Sequence, residues 1–345
     1  MQECLNYKII DSATLECENC NHHCKIKEGE VGICGVRQNL KGKLYLLAYG
    51  KSVAVGVDPI EKKPLFHFLP GSHVYSFGTL GCNFYCSNCQ NYGISQMFGD
   101  KGKVKEYSGL NWGTNLSPDE IVKGALENNC SSVAATYNEP TVFLEYALAV
   151  MKLAKKKKLK NIWVSNGFMS TKTLDTVIPY LDAINIDIKS FDDKFYREEC
   201  GARLASILEN CKKLIKQGVW LEITTLIIPT LSDNKKMLRE IARFIKKELG
   251  SFVPWHLSAF SGEISWKLKN LPSTSLKSIK EAYEIGKEEG LKYVYGGNIL
   301  NNNLENTYCP KCGALVIERN GYQTISKLKD GCCSKCATKI VGIFQ

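Results

Sequence analysis

From residue 73 onward, short hydrophobic runs alternate along the chain with longer segments whose apolar positions recur at helical spacing. The strand candidates are residues 74–80, 133–136, 161–165, 183–188, 219–228, 253–259 and 293–295. The helix candidates between them are residues 117–128, 142–157, 202–217, 234–249 and 276–289. Because strands and helices alternate, the sequence predicts an α/β fold with a parallel sheet, most simply a full or partial β/α barrel.

Polar residues follow most of these strand candidates at the point where each one ends. They are Thr136-Tyr137-Asn138-Glu139-Pro140, Ser165-Asn166-Gly167, Asn185-Ile186-Asp187-Ile188-Lys189, Glu222 with Thr224 and Thr225, and Trp255-His256-Leu257-Ser258. The carboxyl ends of parallel strands meet at one rim of a barrel, where ligands bind. We therefore expect a ring of ligand-binding groups at this rim.

Residues before the barrel have a different composition. Residues 43–48 and 52–57 have strand composition and are separated by Tyr49-Gly50-Lys51, which predicts a β-hairpin. Residues 58–71 contain three prolines, so we expect an irregular segment that covers one end of the core. The predicted division is a cysteine-rich, metal-binding segment with the hairpin (1–72), a barrel core (73–300) and a zinc ribbon (301–345).

Three cysteines, Cys82, Cys86 and Cys89, lie within eight residues behind the first barrel strand. Their C-x3-C-x2-C spacing suits one face of a four-iron, four-sulfur (4Fe-4S) cluster and leaves one iron without a protein ligand. S-adenosylmethionine is the expected occupant, because its amino and carboxylate groups can chelate that iron and its sulfonium can accept an electron. The alternatives are a zinc knuckle and three buried core thiols.

Two further groups of four cysteines flank the barrel. The first is Cys17, Cys20, Cys24 and Cys34, for which zinc is the first choice and an auxiliary iron–sulfur cluster the alternative; His22 or His23 could replace one cysteine. The second is Cys309, Cys312, Cys333 and Cys336, whose spacing is typical of a zinc ribbon. We prefer Cys333 to Cys332 because only Cys333 gives C-x2-C with Cys336.

Composition and charge agree with an intracellular metalloprotein. The chain has 16 cysteines and neither an N-terminal apolar segment nor an apolar run long enough for a membrane span, so we expect a cytoplasmic protein with metal sites rather than disulfides. The formal charge is +10, but metal-bound thiolates reduce it to about +5. That bias is weak, and nucleic acid is not the expected partner.

These features together resemble a known family. The cysteine loop is joined by Asp58-Pro59-Ile60-Glu61-Lys62-Lys63-Pro64-Leu65, Tyr137-Asn138-Glu139-Pro140-Thr141, Asn185-Ile186-Asp187-Ile188-Lys189, Gly201-Ala202-Arg203, Ile228-Pro229, Trp255-His256-Leu257-Ser258 and Tyr293-Val294-Tyr295-Gly296-Gly297-Asn298. The chain resembles the radical SAM activating enzymes of glycyl radical enzymes, such as pyruvate formate-lyase activating enzyme. It more closely resembles their sister group, the AmmeMemoRadiSam system radical SAM enzymes, over nearly all residues.

The resemblance implies cofactor-binding roles. Asn138 and Glu139 occupy the place where such enzymes bind the methionyl amine of S-adenosylmethionine with a Gly-Gly-Glu-like segment, although the two glycines are missing here. Asn166 resembles the ribose-binding position. The family usually has an aromatic residue just before the last cysteine to pack on adenine; asparagine stands there in this chain, so Tyr85 or Tyr92 is the expected substitute.

The resemblance also implies catalytic positions. Asp187 and Lys189 match an Asp-x-Lys element near the cation and substrate, and His256 matches a histidine near the substrate. We expect reductive cleavage of S-adenosylmethionine, then hydrogen abstraction from a partner protein, with flavodoxin or ferredoxin as electron donor. The alternatives are an activating enzyme of a glycyl radical enzyme, a small-molecule or RNA-modifying radical enzyme, and a non-catalytic zinc-binding interaction protein.

Overall fold

The computed structural model describes residues 1–98, 112–299 and 303–345. Short antiparallel strands precede the main sheet: β1 (Gln2–Glu3), β2 (Tyr7–Ile9), β3 (Thr14–Cys17), β4 (Lys25–Lys27), β5 (Arg37–Leu40), β6 (Lys43–Leu46) and β7 (Lys51–Ser52). β2, β3 and β4 form one sheet, and β1, β6 and β5 form a second. The cysteine-rich segment is therefore built on two small sheets.

Strands and helices then alternate. The strands are β8 (Ala54–Pro59), β9 (His73–Gly78), β10 (Thr114–Asn115), β11 (Ser132–Ala135), β12 (Lys160–Ser165), β13 (Ala183–Asp187), β14 (Trp220–Ile227), β15 (Trp255–Ala259) and β16 (Val294–Gly297). The helices are α1 (Tyr92–Ser95), α2 (Pro118–Glu127), α3 (Leu144–Lys156), α4 (Thr171–Val177), α5 (Asp193–Phe195), α6 (Ala205–Lys216), α7 (Lys235–Phe244) and α8 (Leu276–Glu288). Short π-helical turns at Tyr196–Cys200 and Ile245–Leu249 follow α5 and α7.

The central sheet has eight strands in the order β16-β15-β14-β13-β12-β11-β9-β8. Every neighbouring pair is parallel except β8 and β9, which are antiparallel. The predicted α/β fold with a mostly parallel sheet is confirmed. Because the seven strands from β9 to β16 in this sheet run parallel, they all end at one rim, the rim that carries the cysteine loop after β9.

Local sequence signals explain where the helices begin. The Ser117 hydroxyl accepts a hydrogen bond from Glu120 N, and the Glu120 carboxylate accepts one from Ser117 N, so a capping box starts α2. Ser275 caps α8 in the same way by accepting from Ser278 N. α4 was absent from the predicted helices, because it is one short stretch containing β-branched residues of modest helix propensity.

One prediction about the N-terminal segment is wrong. Residues 43–48 and 52–57 do not pair as a hairpin, because β6 pairs with β5 whereas β8 pairs with β9 and joins the central sheet. β7, which lies between them, pairs with β10. Strand composition located the strands, but their partners are chosen by contacts distant in sequence.

The proline-containing segment fills the amino-terminal end of the barrel. Leu65 and Phe68 are fully buried and pack against side chains from early positions of the barrel strands, including Val74, Ile162 and Ala183. The backbone stays mostly irregular after β8, apart from one 3-10 turn at Ile60–Lys62. The expectation that this segment covers one end of the core agrees with these contacts.

The C-terminal segment packs against that same end. Its strands are β17 (Thr307–Tyr308), β18 (Leu315–Asn320), β19 (Gln323–Ser326), β20 (Leu328–Lys329) and β21 (Cys332–Cys333). They share a hydrophobic cluster with Phe66 of the proline-containing segment and with Tyr293 and Tyr295 of the barrel. The predicted domain boundary at residues 300 and 301 lies outside the described residues. Among the helices of the described ranges, none is long and apolar enough to cross a membrane; the cytoplasmic location stays a prediction.

Candidate functional site

The cysteine loop between β9 and α1 is held by backbone hydrogen bonds from several parts of the chain. Tyr85 N donates to Cys200 O and Ser87 N to Glu199 O, both at 2.9 Å. On its other side, Trp266 N donates to Cys89 O at 3.1 Å. These contacts fix the loop at the rim where the parallel strands end.

Each of the three loop sulfurs has a hydrogen-bond donor beside it. Phe84 N donates to Cys82 Sγ at 3.4 Å, and the Ser95 hydroxyl lies 3.1 Å from Cys89 Sγ. The Cys200 thiol hydrogen-bonds Cys86 and lowers the pKa of that thiol. Donors of this kind stabilise thiolates, so the loop fits an iron–sulfur cluster with three cysteine ligands.

Asp187 and Lys189 form an ion pair at the end of β13, next to the cysteine loop. Lys189 Nζ lies 2.7 Å from Asp187 Oδ2; the lysine side chain is 13% exposed and the aspartate 35%. Burial opposes the charge on Lys189, but Asp187, Cys86 and Cys200 raise its pKa well above the usual value. The structure thus places a positively charged lysine and a partly exposed carboxylate at the rim.

Glu139 is buried and its carboxylate binds donors of the chain itself. Oε1 accepts from Thr141 N, the Thr141 hydroxyl and the Ser165 hydroxyl at 2.6–3.0 Å, and Oε2 accepts from Asn166 N at 2.8 Å. Glu139 therefore ties the turn after β11 to the end of β12. Its contact with the methionyl ammonium of S-adenosylmethionine stays a prediction. Oε2 is the oxygen expected to make that contact, because it accepts fewer hydrogen bonds from the chain than Oε1 does.

Asn138 and Asn166, the other predicted cofactor residues, hold the cysteine loop in place. Asn138 Nδ2 donates to Gly81 O at 2.7 Å, and Asn166 Nδ2 donates to Asn83 Oδ1 at 2.8 Å. Both amides thus lie next to Cys82. A role in binding S-adenosylmethionine would come in addition to this structural one.

Tyr85 packs against the turn that follows α5. Gly201 has a φ of +71°, and a Cβ at that position would lie 2.5 Å from Tyr85 Cδ2. The glycine is thus required both by its backbone conformation and by the close approach of the ring. Stacking of Tyr85 on adenine stays a prediction.

His256, the third predicted catalytic residue, lies across β14 from Asp187, since both residues pair with Thr224. It is the second residue of β15 and 5% exposed, and its Nε2 lies 2.6 Å from Glu222 Oε2. Its ring packs against Phe66 and Tyr295, with centroids 4.7 and 5.3 Å away. A role for His256 near the substrate stays a prediction.

Sequence reasoning missed two neighbours of the loop. Cys200 belongs to none of the three predicted cysteine groups, yet it lies beside Cys86; its position just before the matched Gly201 was the available signal. The segment after β15 was also missed, although Ser265 Oγ and Lys267 N both donate to Ser87 O. No residue pattern in that segment indicated the contact.

The four N-terminal cysteines line one cavity. Cys17, Cys20, Cys24 and Cys34 surround it together with Arg37 and Asn83. Arg37 is 1% exposed and its guanidinium forms two hydrogen bonds with the Glu145 carboxylate of α3, at 3.1 and 2.6 Å. This ion pair fastens the cysteine-rich segment to the barrel.

The C-terminal segment gathers Cys309, Cys312, Cys333 and Cys336, with all four sulfurs within 4.8 Å of one another. Cys309 Sγ lies 3.6 Å from Cys336 Sγ, and Cys312 Sγ lies 3.7 Å from Cys333 Sγ. Four thiolates at 2.3 Å from one tetrahedral zinc would be about 3.8 Å apart. The arrangement can hold a metal ion of that kind, and Cys332 lies outside it.

Comparison with known proteins agrees with this geometry. The family model described as the Radical SAM superfamily matches residues 77–245, which begin just before the cysteine loop. A protein of Methanocaldococcus jannaschii, named only as uncharacterized, is 42% identical over 319 residues that span 92% of each chain. The pyruvate formate-lyase-activating enzyme of Clostridium pasteurianum is 23% identical over 222 residues, covering 60% of this chain and 87% of that enzyme.

Solved structures show the same fold. Streptococcus suis SuiB bound to the precursor peptide SuiA matches with a TM-score of 0.50 and 16% sequence identity. The match covers 69% of this chain and 51% of that chain. At this identity the likeness concerns the fold alone.

Proposed function

The chain belongs to the radical SAM superfamily, and from this premise we propose that it abstracts a hydrogen atom from a segment of a partner protein. As a member it is an enzyme, and its domain implies a 4Fe-4S cluster and S-adenosylmethionine. When bound, the cluster supplies the electron that cleaves the sulfonium into methionine and a 5′-deoxyadenosyl radical. The substrate class and the residue roles below are our proposal.

The observation that carries the proposal is the arrangement at the rim. Cys82, Cys86 and Cys89 would hold the cluster, since each sulfur already has a donor beside it. Asp187 and Lys189 would bind the substrate or a cation, because the aspartate remains 35% exposed and the lysine keeps its charge. His256 would lie on the substrate side, as the resemblance implies.

A protein substrate is favoured by the relatives and by the shape of the chain. Several relatives are named activating enzymes of other enzymes, including pyruvate formate-lyase and (2S)-3-sulfopropanediol dehydratase. The N-terminal segment and the segment after β15 both border the cysteine loop and add surface beside it. For the C-terminal cysteines we propose zinc, on the basis of their sulfur spacing.

The first test is whether the chain makes 5′-deoxyadenosine. We expect anaerobically reconstituted protein to produce it from S-adenosylmethionine with dithionite, and Cys82→Ala, Cys86→Ala or Cys89→Ala to abolish production, because each removes one of three ligands. Cys332→Ala is the matched control, as that thiol lies outside every proposed metal site. Wild-type yield from any loop variant would contradict the assignment of the ligands.

The second test concerns the substrate. Protein, RNA and metabolite fractions of a deuterium-labelled cell extract are incubated separately with the enzyme, S-adenosylmethionine and reductant. We expect deuterium in 5′-deoxyadenosine only with the protein fraction, and transfer only from the other fractions would reject a protein substrate. Electron paramagnetic resonance would show a glycine-centred doublet if the reaction is glycyl radical activation rather than another modification.

A further inference from the structure

We propose that Cys17, Cys20, Cys24 and Cys34 hold an iron–sulfur cluster rather than a zinc ion, and that this cluster passes electrons to the cysteine loop. The binding of the cluster is independent of the proposed function. The electron transfer rests on it.

The spacing of the sulfur atoms distinguishes the two groups of four cysteines. In the ribbon, all four sulfurs lie within 4.8 Å of one another, as a single tetrahedral ion requires. Within the described ranges, no three ligand atoms of Cys17, Cys20, Cys24 and Cys34 are gathered that closely. A cluster attaches its thiolates to separate iron atoms, so its cysteines stand further apart than those around one ion.

The N-terminal cysteines also enclose space, which a single tetrahedral ion does not need. The cavity that they line has a volume of about 20 Å³, enough to admit a water molecule, whereas four sulfurs 2.3 Å from one ion leave no such space. Gly32 borders this cavity, and a Cβ there would lie 3.7 Å from Cys24 Sγ and 3.2 Å from Ile26 Cδ1. The absence of a side chain at residue 32 therefore keeps the cavity open.

One polar group in the cavity wall indicates a ligand. Asn83 is 1% exposed, and its Nδ2 has no hydrogen-bond partner in the part of the chain that the structure describes. A buried donor without an acceptor costs about 1–3 kcal/mol. The sulfides and thiolates of a cluster are acceptors and would satisfy it. Arg37 also lines this wall, where its guanidinium is paired with the Glu145 carboxylate.

The cavity adjoins the cysteine loop directly. A Cβ on Gly81, the residue before Cys82, would lie 2.4 Å from Cys34 O, so the two ligand segments are packed backbone to backbone. His22, between two of the N-terminal cysteines, lies with Nε2 2.7 Å from Asn83 O, directly after Cys82. A cluster in the cavity would therefore be separated from one in the loop by little more than residues 81–83.

The electron balance is simple. A low-potential one-electron donor protein reduces the N-terminal cluster, which passes the electron to the cluster of the loop. The electron is used when the carbon–sulfur bond of S-adenosylmethionine breaks, giving methionine and the carbon-centred radical. Each cluster returns to its oxidised state, and no other oxidant is needed.

Metal analysis of the full chain with Cys82, Cys86 and Cys89 all changed to alanine tests the site. After anaerobic reconstitution we expect about four iron and about four acid-labile sulfide per chain, together with about one zinc from the ribbon. The Mössbauer spectrum should be that of a cluster with four thiolate ligands. About two zinc and no sulfide-bound iron would overturn the proposal.

A second variant covers the case in which the triple variant fails to fold. The double variant Cys20→Ser/Cys24→Ser of the otherwise native chain should lose about half of its iron, because two ligands of the proposed cluster are removed. Both thiols are only partly buried, so the substitutions should leave the fold intact. The matched control is Cys4→Ala, a buried thiol of the same segment that does not line the cavity. An unchanged iron content in the double variant would overturn the proposal.

The electron transfer has its own measurement. Reduction of the loop cluster is followed by electron paramagnetic resonance with either ferredoxin or dithionite as donor. In the double variant, we expect the ferredoxin-driven rate to fall at least ten-fold more than the dithionite-driven rate, since dithionite is small enough to reach the loop itself. Equal losses with the two donors would reject the relay and leave the metal analysis to decide the site.

Discussion

At the scale of single residues, His67 shows how strongly the barrel interior selects a protonation state. It is fully buried, its Nδ1 lies 2.7 Å from Val341 O, and its Nε2 lies 2.5 Å from the Tyr295 hydroxyl. Burial lowers the pKa of His67 to about 4, against the smaller opposing effect of Glu222. The folded protein therefore keeps this imidazole neutral at pH values where the unfolded chain protonates it.

The stability provided by His67 should depend on pH. With an unfolded pKa of about 6.5, the contribution is fully present above that value and is lost as the pH falls toward 4. The total loss is about 3 kcal/mol, of which about 1 kcal/mol occurs between pH 7.5 and 5.5. The measurement is urea unfolding at both pH values for the wild type and His67→Asn, whose side chain cannot take up this proton.

The control is His73→Asn, which changes an exposed histidine at the start of β9. We expect the free-energy difference between wild type and His67→Asn to shrink toward low pH. If the difference in unfolding free energy between the two proteins stays constant over this pH range, the pKa of His67 is not lowered in the folded state.

Residue types and their spacing predicted much of the site, and Glu139 shows where that information ended. The carboxylate was recognised as a residue at the end of β11, and the structure places it there. Its use could not be predicted, because its donors Ser165 and Asn166 lie on another strand. His256 is a parallel case: the structure places it on β15, but the sequence did not indicate that Phe66 would pack against its ring.

At the scale of elements, the turn before Cys82 joins the cysteine loop to the N-terminal segment. Gly81 has a φ of +86°, and a Cβ there would lie 2.4 Å from Cys34 O and 2.8 Å from Val36 Cγ1. We expect Gly81→Ala to lower the unfolding free energy by about 3 kcal/mol, from strain in the left-handed region and overpacking together. It should also reduce the iron content of the reconstituted protein.

Gly218→Ala separates the two causes, because Gly218 has a φ of +76° with nothing within 4 Å of its Cβ position. Gly218→Ala should lower the unfolding free energy by about 1–2 kcal/mol, from backbone strain in the left-handed region alone. It should leave the iron content unchanged. Unfolding curves and iron analysis of both variants check the prediction. Equal effects of the two substitutions would show that the packing against Cys34 is not tight.

Elements were predictable where a local signal defines them. The Ser117 capping box marked the start of α2, and Gly290, with a φ of +94°, marks the end of α8. The hairpin prediction failed because β6 and β8 are close in sequence but belong to different sheets. The partner of each strand is selected by tertiary contacts with the barrel, and these depend on the whole chain rather than on neighbouring residues.

At the scale of the molecule, Arg319 joins the C-terminal segment to the barrel. Its guanidinium is buried, donates to Phe66 O at 2.7 Å, lies 4.1 Å from the centroid of the Phe66 ring, and is 3.7 Å from the buried carboxylate of Glu61. Arg319→Ala leaves that carboxylate without its cation. We expect a loss of about 3–5 kcal/mol, together with faster zinc release to a chelator.

Lys327→Ala is the matched control in the same segment. Its ion pair with Glu318 is 2.8 Å long but about half exposed, so its loss should cost less than about 1 kcal/mol. Chemical unfolding and chelator kinetics measure both variants. If Arg319→Ala changes zinc release but not the stability of the barrel, the C-terminal segment is an independent unit.

The Arg37–Glu145 ion pair has a consequence for how the protein is made. The two residues are 108 positions apart, so at 5–20 residues per second the arginine leaves the ribosome about 5–20 s before its carboxylate. During that interval the N-terminal segment lacks its ion pair with helix α3. Until α3 has emerged, the thiols of this segment are accessible to other metal ions and to oxidants. The order of translation therefore determines when the N-terminal site can first bind its metal in the native arrangement.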